Sequence, residues 1–323
     1  MNTATALPPF KSVRYAGRAP GTRLIVTGAV HGNETCGTIA IARIAGELER
    51  GEIELVRGSL TLVPVSNPLA YAKGERAGDR NLNRRLLPTM KPADNEDRIA
   101  NVLCHWLAYH EVLLDLHSFR NPGQPFVMRG PADNDDELEP FTHADAEARL
   151  AAHLGPTRIV EGWMPAYAEG VQRRRERGGL GGSVTEDLAY GVGTTEFMRS
   201  QGGYGVTLEC GQHDDPQAPE VAYRAIRQTL ALLGLCDLPL EPPAAEFECL
   251  CLTEVIDRLH EGDRFVKTWS SFDALAEGEL IGLRADGREV RASRAGRIVF
   301  PDPMAAPGHE WFYLAQPAER GMT

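Results

Sequence analysis

The stretch that most constrains the fold is residues 22–37, TRLIVTGAVHGNETCG. Leu24, Ile25, Val26, Ala29 and Val30 read as a buried strand running into a glycine-flanked turn that holds His31 and Glu34. Thr35 to Arg50 then reads as a helix with Ile39, Ile41, Ile44 and Leu48 as its apolar positions. A strand of this kind feeding straight into a helix points to an open, parallel-type α/β sheet, in which ligands bind beyond the carboxyl ends of the strands. His31 and Glu34 stand at such an end. Imidazole nitrogen and carboxylate oxygen are both good zinc ligands, and a catalytic zinc takes three protein ligands plus a water. HxxE alone is also a common pairing of a surface histidine with a solvated glutamate, and the HExxH signature is absent. The other strand ends must therefore supply the argument.

They do so in order. SLTLVPVSNPLAY (59–71) reads as a second strand ending in a turn at Asn67-Pro68. A polar loop, 72–88, carries Arg76, Arg80, Asn83, Arg84 and Arg85; Arg80 and Arg85 are taken as solvated surface. Asp94 is a candidate N-cap for a helix over about 95–110, whose His105 and His110 read as structural or solvent-facing. EVLLDLHS (111–118) is a third strand, and alternation puts Asp115 and His117 on one side of it. His117 is the best third ligand. Asp115 either orients a ligating imidazole or serves as a turn or cap acceptor. Residues 142–154 read as helical, whereas 161–203 is polar and glycine-rich enough to suggest a functional loop. Within it, RRRER (173–177) reads as a solvated face, the glycines at 178–182 match no phosphate-binding fingerprint, and Ser183 lies outside any GxSxG elbow. GYGVTLECGQ (202–212) is a fourth strand that presents Glu209 after an apolar run. A carboxylate there is costly without a partner or a task, which makes Glu209 the candidate general base. A helix over 218–235 follows.

The composition changes at the proline-rich 235–248, where a domain boundary is expected near residue 240. This divides the chain into a catalytic α/β domain, 1–240, and a small all-β domain, 241–323, a barrel or sandwich with a hairpin at Asp286-Gly287. His260 and His309 fall in its turns and read as non-ligands. Residues 1–20 read as an extended leader that joins the sheet late, if at all.

Bulk properties narrow the class. With 42% hydrophobic and 24% charged residues the chain is an ordinary globular protein. A formal charge of −11 argues against general nucleic-acid or anionic-membrane binding, so an anionic substrate would need a local arginine cluster. The N-terminus lacks the apolar core of a signal peptide, no run reaches transmembrane length, and a cytoplasmic location is expected. The six cysteines (36, 104, 210, 236, 249, 251) form no CxxC pairs and read as reduced packing residues.

Taken together, His31-Gly-Asn-Glu34, Asn67-Pro68, Arg76 followed by Asn81-Leu-Asn83-Arg84, Asp115-Leu-His117 and Leu208-Glu209-Cys-Gly211 resemble, in order and spacing over roughly 25–215, the succinylglutamate desuccinylase/aspartoacylase family of zinc-carboxypeptidase-like amidohydrolases. The resemblance implies a mixed sheet flanked by helices, followed by the small β domain. It implies one zinc ion per chain on His31, Glu34 and His117, with Glu209 as the base that activates the attacking water. Arg76 would stabilise the oxyanion, and Asn83 and Arg84 would bind the carboxylate of the amino-acid portion. Arg199, by its interval before Glu209, would be a further substrate-binding residue. Two departures stand out. Position 81 is Asn where members often carry Asp, which bears on the tuning of Arg84, and no equivalent is evident of the tyrosine that several members use near the substrate. The implied activity is hydrolysis of the amide of a small, anionic N-acyl amino acid. The competing readings are a carboxypeptidase for short peptides and a non-catalytic small-molecule binding protein on the same fold.

Overall fold

The computed structural model describes residues 9–177 and 186–322, so Ser183 and the glycines at 178–182 lie outside the described residues. In chain order the elements are β1 (Lys11–Ala16), β2 (Ala19–Gly28), α1 (Cys36–Glu49), β3 (Arg57–Val65), α2 (Pro68–Lys73), α3 (Asn95–Tyr109) and β4 (Val112–Phe119). Next come β5 (Phe126–Met128), α4 (Ala144–Ala152), β6 (Arg158–Glu161), α5 (Trp163–Glu176), α6 (Thr194–Ser200), β7 (Tyr204–Gln212) and α7 (Ala218–Leu232). The C-terminal part is all strand: β8 (Glu248–Asp257), β9 (Arg264–Phe265), β10 (Ala274–Leu275), β11 (Leu280–Leu283), β12 (Glu289–Arg291), β13 (Gly296–Val299) and β14 (Glu310–Pro317).

Eleven of these strands form one mixed sheet in the order β1-β3-β2-β4-β7-β5-β6-β8-β14-β13-β10. Its centre, β3-β2-β4-β7, is parallel, and all eight residues of β4 are buried, as a strand covered on both faces requires. On one face Leu24, Val26, Leu114 and Leu208 meet Ile41 and Ile44 of α1 and Ile226 and Leu230 of α7. Burying each such aliphatic side chain stabilises the fold by roughly 1.5–3 kcal/mol. On the other face Ile25, Val63 and Leu113 meet Ile99, Leu103 and Leu107 of α3 and Phe197 and Met198 of α6. α3 is capped as expected, the Asp94 carboxylate accepting from the Asp97 N–H at 2.7 Å.

The all-β segment is hydrogen-bonded to the α/β part. β8 pairs in parallel with β6 and antiparallel with β14, so the large sheet continues past the proline-rich connection. β9, β11 and β12 make a separate three-stranded sheet, with β11 and β12 joined through the Asp286-Gly287 turn. The expected leader is corrected in part: residues 11–16 are the edge strand, antiparallel to β3. The expected loop over 161–203 is largely helical where described, as α5, a 3₁₀ turn at Leu188–Gly191 and α6. The RRRER run is a solvated face only in part: Arg175, Glu176 and Arg177 are exposed, but Arg174 is buried and Arg173 half-buried. Arg173 reaches Glu254 at 2.7 Å, and Arg174 makes a two-pronged contact with Asp257 at 2.6 and 3.1 Å, which ties α5 to β8.

Arg199 is corrected too. Its guanidinium is buried against Glu147 (2.9 and 3.0 Å), Glu139 (2.6 Å) and the Gly205 carbonyl (2.8 Å). Gly205 is the second residue of β7, four residues before Glu209 and roughly 13 Å away along a strand. Arg199 therefore braces α4, α6 and β7 and does not face a substrate. Three carboxylates, Glu139, Glu147 and Glu196, share this one cation. Burial, then repulsion from Glu196 and Glu147, raises Glu139 to about 7 against the pull of Arg199. A carboxyl raised in the folded state adds stability that is full below its unfolded value and is lost as pH rises through the folded one. Stability should therefore fall between about pH 4.5 and pH 7. Chemical denaturation at pH 5 and pH 8 should give a smaller drop for Glu139→Gln than for the wild type, by about 1 kcal/mol or more. Equal drops would remove Glu139 as the cause.

Candidate active site and metal centre

The strand register assembles the site. In the parallel centre Thr27 lies beside Asp115, Asp115 beside Thr207, and His117 beside Glu209, while Phe126 of β5 faces Glu209 from the other side. Alternate residues share a face, so Asp115, His117, Thr207 and Glu209 point together toward the side covered by α3 and α6. The β2–α1 turn brings in His31 and Glu34. Ala29 there takes a positive φ of 45°, which turns the chain out of the strand. Gly32 has no room for a side chain, since a Cβ would lie 2.0 Å from the Ala70 carbonyl carbon.

His31, Glu34 and His117 converge with one ligand atom each, all within 4.8 Å of one another, and all three residues are buried. Their hydrogen bonds fix the chemistry of those atoms. Asn81 Oδ1 accepts from the Asn83 backbone N–H at 2.9 Å, which identifies it as the oxygen. His31 Nε2, 3.0 Å away, must then donate to it. His117 Nε2 donates to Asp115 Oδ2 at 2.9 Å. In the neutral form each ring turns an unprotonated Nδ1 toward the Glu34 carboxylate, at 2.9 Å (His31) and 2.8 Å (His117); against burial, Asp115 and Glu34 instead favour a proton on His117, the place a metal cation would take. Three lone-pair atoms at such spacing repel one another unless a cation lies between them. The donor set, two imidazole nitrogens and one carboxylate oxygen, is that of a His₂Glu zinc site. The residues present therefore fit the metal.

The surroundings are organised for the same end. Asp115 is also held by Thr27 Oγ1 at 2.6 Å and by Thr194 Oγ1. The Ser118 N–H donates to Glu34 Oε2 at 3.2 Å. Arg76 donates to Glu34 Oε1 and His31 Nδ1, both at 3.2 Å, with half of its side chain exposed. Glu209 is buried, and its Oε2 has no hydrogen-bond partner among the described residues. Burial first, then Glu34, pushes its carboxyl up to about 8, while His117 and Arg76 pull the other way.

The loop carrying Arg76, Asn81, Asn83 and Arg84 is pinned by Glu96. This fully buried carboxylate accepts from the N–H groups of Gly78, Asp79 and Arg80 and from Asn67 Nδ2. Arg80, expected at the surface, braces the loop instead, bonding Asp94 and Asp97 at 2.9 and 2.8 Å and the Arg84 carbonyl at 2.9 Å. Asn81 acts on His31 and not on Arg84. Asn83 accepts from the Thr194 N–H at 3.0 Å, and Arg84 lies over the Trp163 ring at 4.7 Å beside Glu310.

Several site residues drew no expectation from the sequence. His213 bonds Ser118 Oγ at 2.8 Å and Asn33 Nδ2 at 3.3 Å, joining the two ligand-bearing turns. Its place just past the end of the Glu209 strand was a usable signal. Tyr313 and Glu310 come from β14 and Tyr167 from α5, and nothing local marks them. The remaining histidines have other work or none. His110 is bonded to Thr61 and the Trp106 carbonyl, and His260 Nδ1 accepts from the Gly262 N–H. All six cysteines are free, and Cys36 Sγ donates to the His117 carbonyl at 3.3 Å. No helix among the described residues is long and apolar enough to cross a membrane.

Comparison with known proteins bears on family and fold. The family model described as the succinylglutamate desuccinylase/aspartoacylase catalytic domain matches residues 20–233. No curated protein sequence matches significantly. Among solved structures, a succinylglutamate desuccinylase/aspartoacylase from Rhodobacter sphaeroides superposes with a TM-score of 0.71 at 17% identity, covering 96% of this chain and 90% of the other. The product-bound ectoine utilization protein EutE (DoeB) from Ruegeria pomeroyi gives 0.67 at 18% identity, with 97% of each chain covered. An aspartoacylase family protein from Mesorhizobium loti gives 0.64 at 21% identity, covering 96% of this chain and 90% of the other. At these identities the structures speak for the fold, while the family model spans about two thirds of the sequence, 214 of 323 residues. The chain belongs to the succinylglutamate desuccinylase/aspartoacylase family.

Proposed function

We propose that the protein is a zinc-dependent hydrolase that cleaves the amide bond of a small N-acyl amino acid to a carboxylate and an amine. The observation that carries this reading is the buried trio of ligand atoms from His31, Glu34 and His117, beside a Glu209 Oε2 that has no partner among the described residues. A bound zinc ion polarises a carbonyl and lowers the pKa of water to about 7. The chain's own groups do the rest. Glu209 Oε2 takes a proton as the water oxygen bonds to the amide carbon, and returns it to the nitrogen as the C–N bond breaks. Arg76, permanently charged and 3.2 Å from Glu34, would neutralise the oxyanion. Asp115 and Asn81 hold the two imidazoles in the tautomer that faces the metal. Asn83 and Arg84 are the candidates for holding the substrate carboxylate.

Two outcomes are expected. Primary-amine release from N-acetyl amino acids should drop about 10²–10⁴-fold in Glu209→Gln with zinc content unchanged. Near-normal turnover would contradict the role given to Glu209. Separately, Asp115→Ala should weaken zinc binding about 10–100-fold in a competition titration, because His117 loses its orienting partner. Unaltered affinity would show that the imidazole needs no such support.

A further inference from the structure

The ladder between β4 and β7 is interrupted at the site. His117 stands opposite Glu209 but Phe119 opposite Gln212, so Ser118 faces both Cys210 and Gly211. This is a β-bulge, with one extra residue on β7. Gly211 makes it possible with a φ of 130°, a region that other residues rarely enter. The bulge decides where His213 points. Unbroken alternation would send residues 209, 211 and 213 to one side of the strand. With one extra residue His213 leaves the side of Glu209 and joins that of Ser118. Its backbone N–H is fixed on the Phe119 carbonyl at 2.9 Å.

On that side the imidazole spans two segments. Its Nδ1 lies 2.8 Å from Ser118 Oγ and its Nε2 3.3 Å from Asn33 Nδ2. Ser118 follows His117 in the chain, and Asn33 precedes Glu34. A neutral ring serves both neighbours, since one nitrogen donates and the other accepts. Partial burial lowers the pKa of the ring, against the pull of Glu34. Two other contacts join the same segments. The Ser118 N–H donates to Glu34 Oε2 at 3.2 Å, and Cys36 Sγ donates to the His117 carbonyl at 3.3 Å. The first is long for a bond to a carboxylate, and the second uses a weak donor. Holding the Ser118 side chain therefore steadies the N–H that meets Glu34.

We propose that His213 is a positioning residue of the metal centre, pinning the Glu34-bearing turn to the end of the His117 strand and so setting how tightly the three ligands hold a cation. This deepens the zinc reading and rests on it. Ligands fixed before the ion arrives lose less freedom when it binds.

The test measures zinc affinity by chelator competition on metal-stripped wild type, His213→Ala, His213→Asn and Ser118→Ala. Denaturant unfolding of each metal-free protein runs alongside. His213→Ala should weaken zinc about tenfold, the lower end of what supporting partners contribute. His213→Asn places an amide near the position of Nδ1, keeps the Ser118 contact and should recover most of the loss. Ser118→Ala retains the N–H to Glu34 but loses the imidazole, so it too should weaken zinc. Adding it to His213→Ala should cost little more, because the two residues act as one unit. Wild-type affinity in His213→Ala overturns the pin, even if the metal-free variant is less stable. So does a loss that His213→Asn fails to repair. If His213→Ala does not fold, Ser118→Ala decides, and wild-type affinity there overturns the pin. All these outcomes leave the zinc reading standing, whereas a wild type that takes up no zinc removes that reading and the pin with it.

Discussion

Everything at this site depends on which nitrogen of two histidines carries the proton. Asn81 and Asp115 each demand an N–H, so His31 and His117 present bare Nδ1 atoms to the same carboxylate. With both rings neutral such an arrangement is repulsive, and Arg76 offsets it only from the His31 side. The protein has built the repulsion with care. Asp115 is fully buried and held by two threonines and a histidine, and Asn81 is held by the backbone of its own loop. Only a cation turns these hydrogen bonds from a cost into an affinity.

The sheet makes this possible because register delivers chemistry without flexible segments. Thr27, Asp115 and Thr207 lie side by side, and one step on so do His117, Glu209 and Phe126. A shift of one residue in β4 would turn both Asp115 and His117 to the face packed by α1 and α7. The continuous sheet also explains how residues after position 300 reach a site built mostly from the first 213. β14 is tied through β8 to β6, and the α5 arginines lock the same joint from above.

Much of this was legible in the sequence, for identifiable reasons. The strand ends at His31, Asp115-Leu-His117 and Glu209 declare themselves because an apolar run that stops at a charged residue has few structural explanations. What stayed hidden depends on tertiary partners. Arg199 and the RRRER run look solvated or substrate-binding until Glu147, Glu139, Glu254 and Asp257 are seen against them. Asn81 could be flagged as unusual, but its true object, His31, lies fifty residues away. Glu310 and Tyr313 carry no local signature at all, since a mostly apolar strand with five consecutive buried residues is consistent with any β domain. The glycine-rich content of 161–203 suggested a loop, yet Trp163–Glu176 is a helix because its apolar side packs on β8 and the 3₁₀ turn.

The most direct test is a zinc titration of chelator-stripped protein, followed by X-ray absorption at the zinc edge. The account predicts one zinc ion per chain, bound through two imidazole nitrogens at about 2.0–2.1 Å and one carboxylate oxygen. A folded chain that takes up no zinc, or binds it without histidine nitrogen, would contradict the central claim.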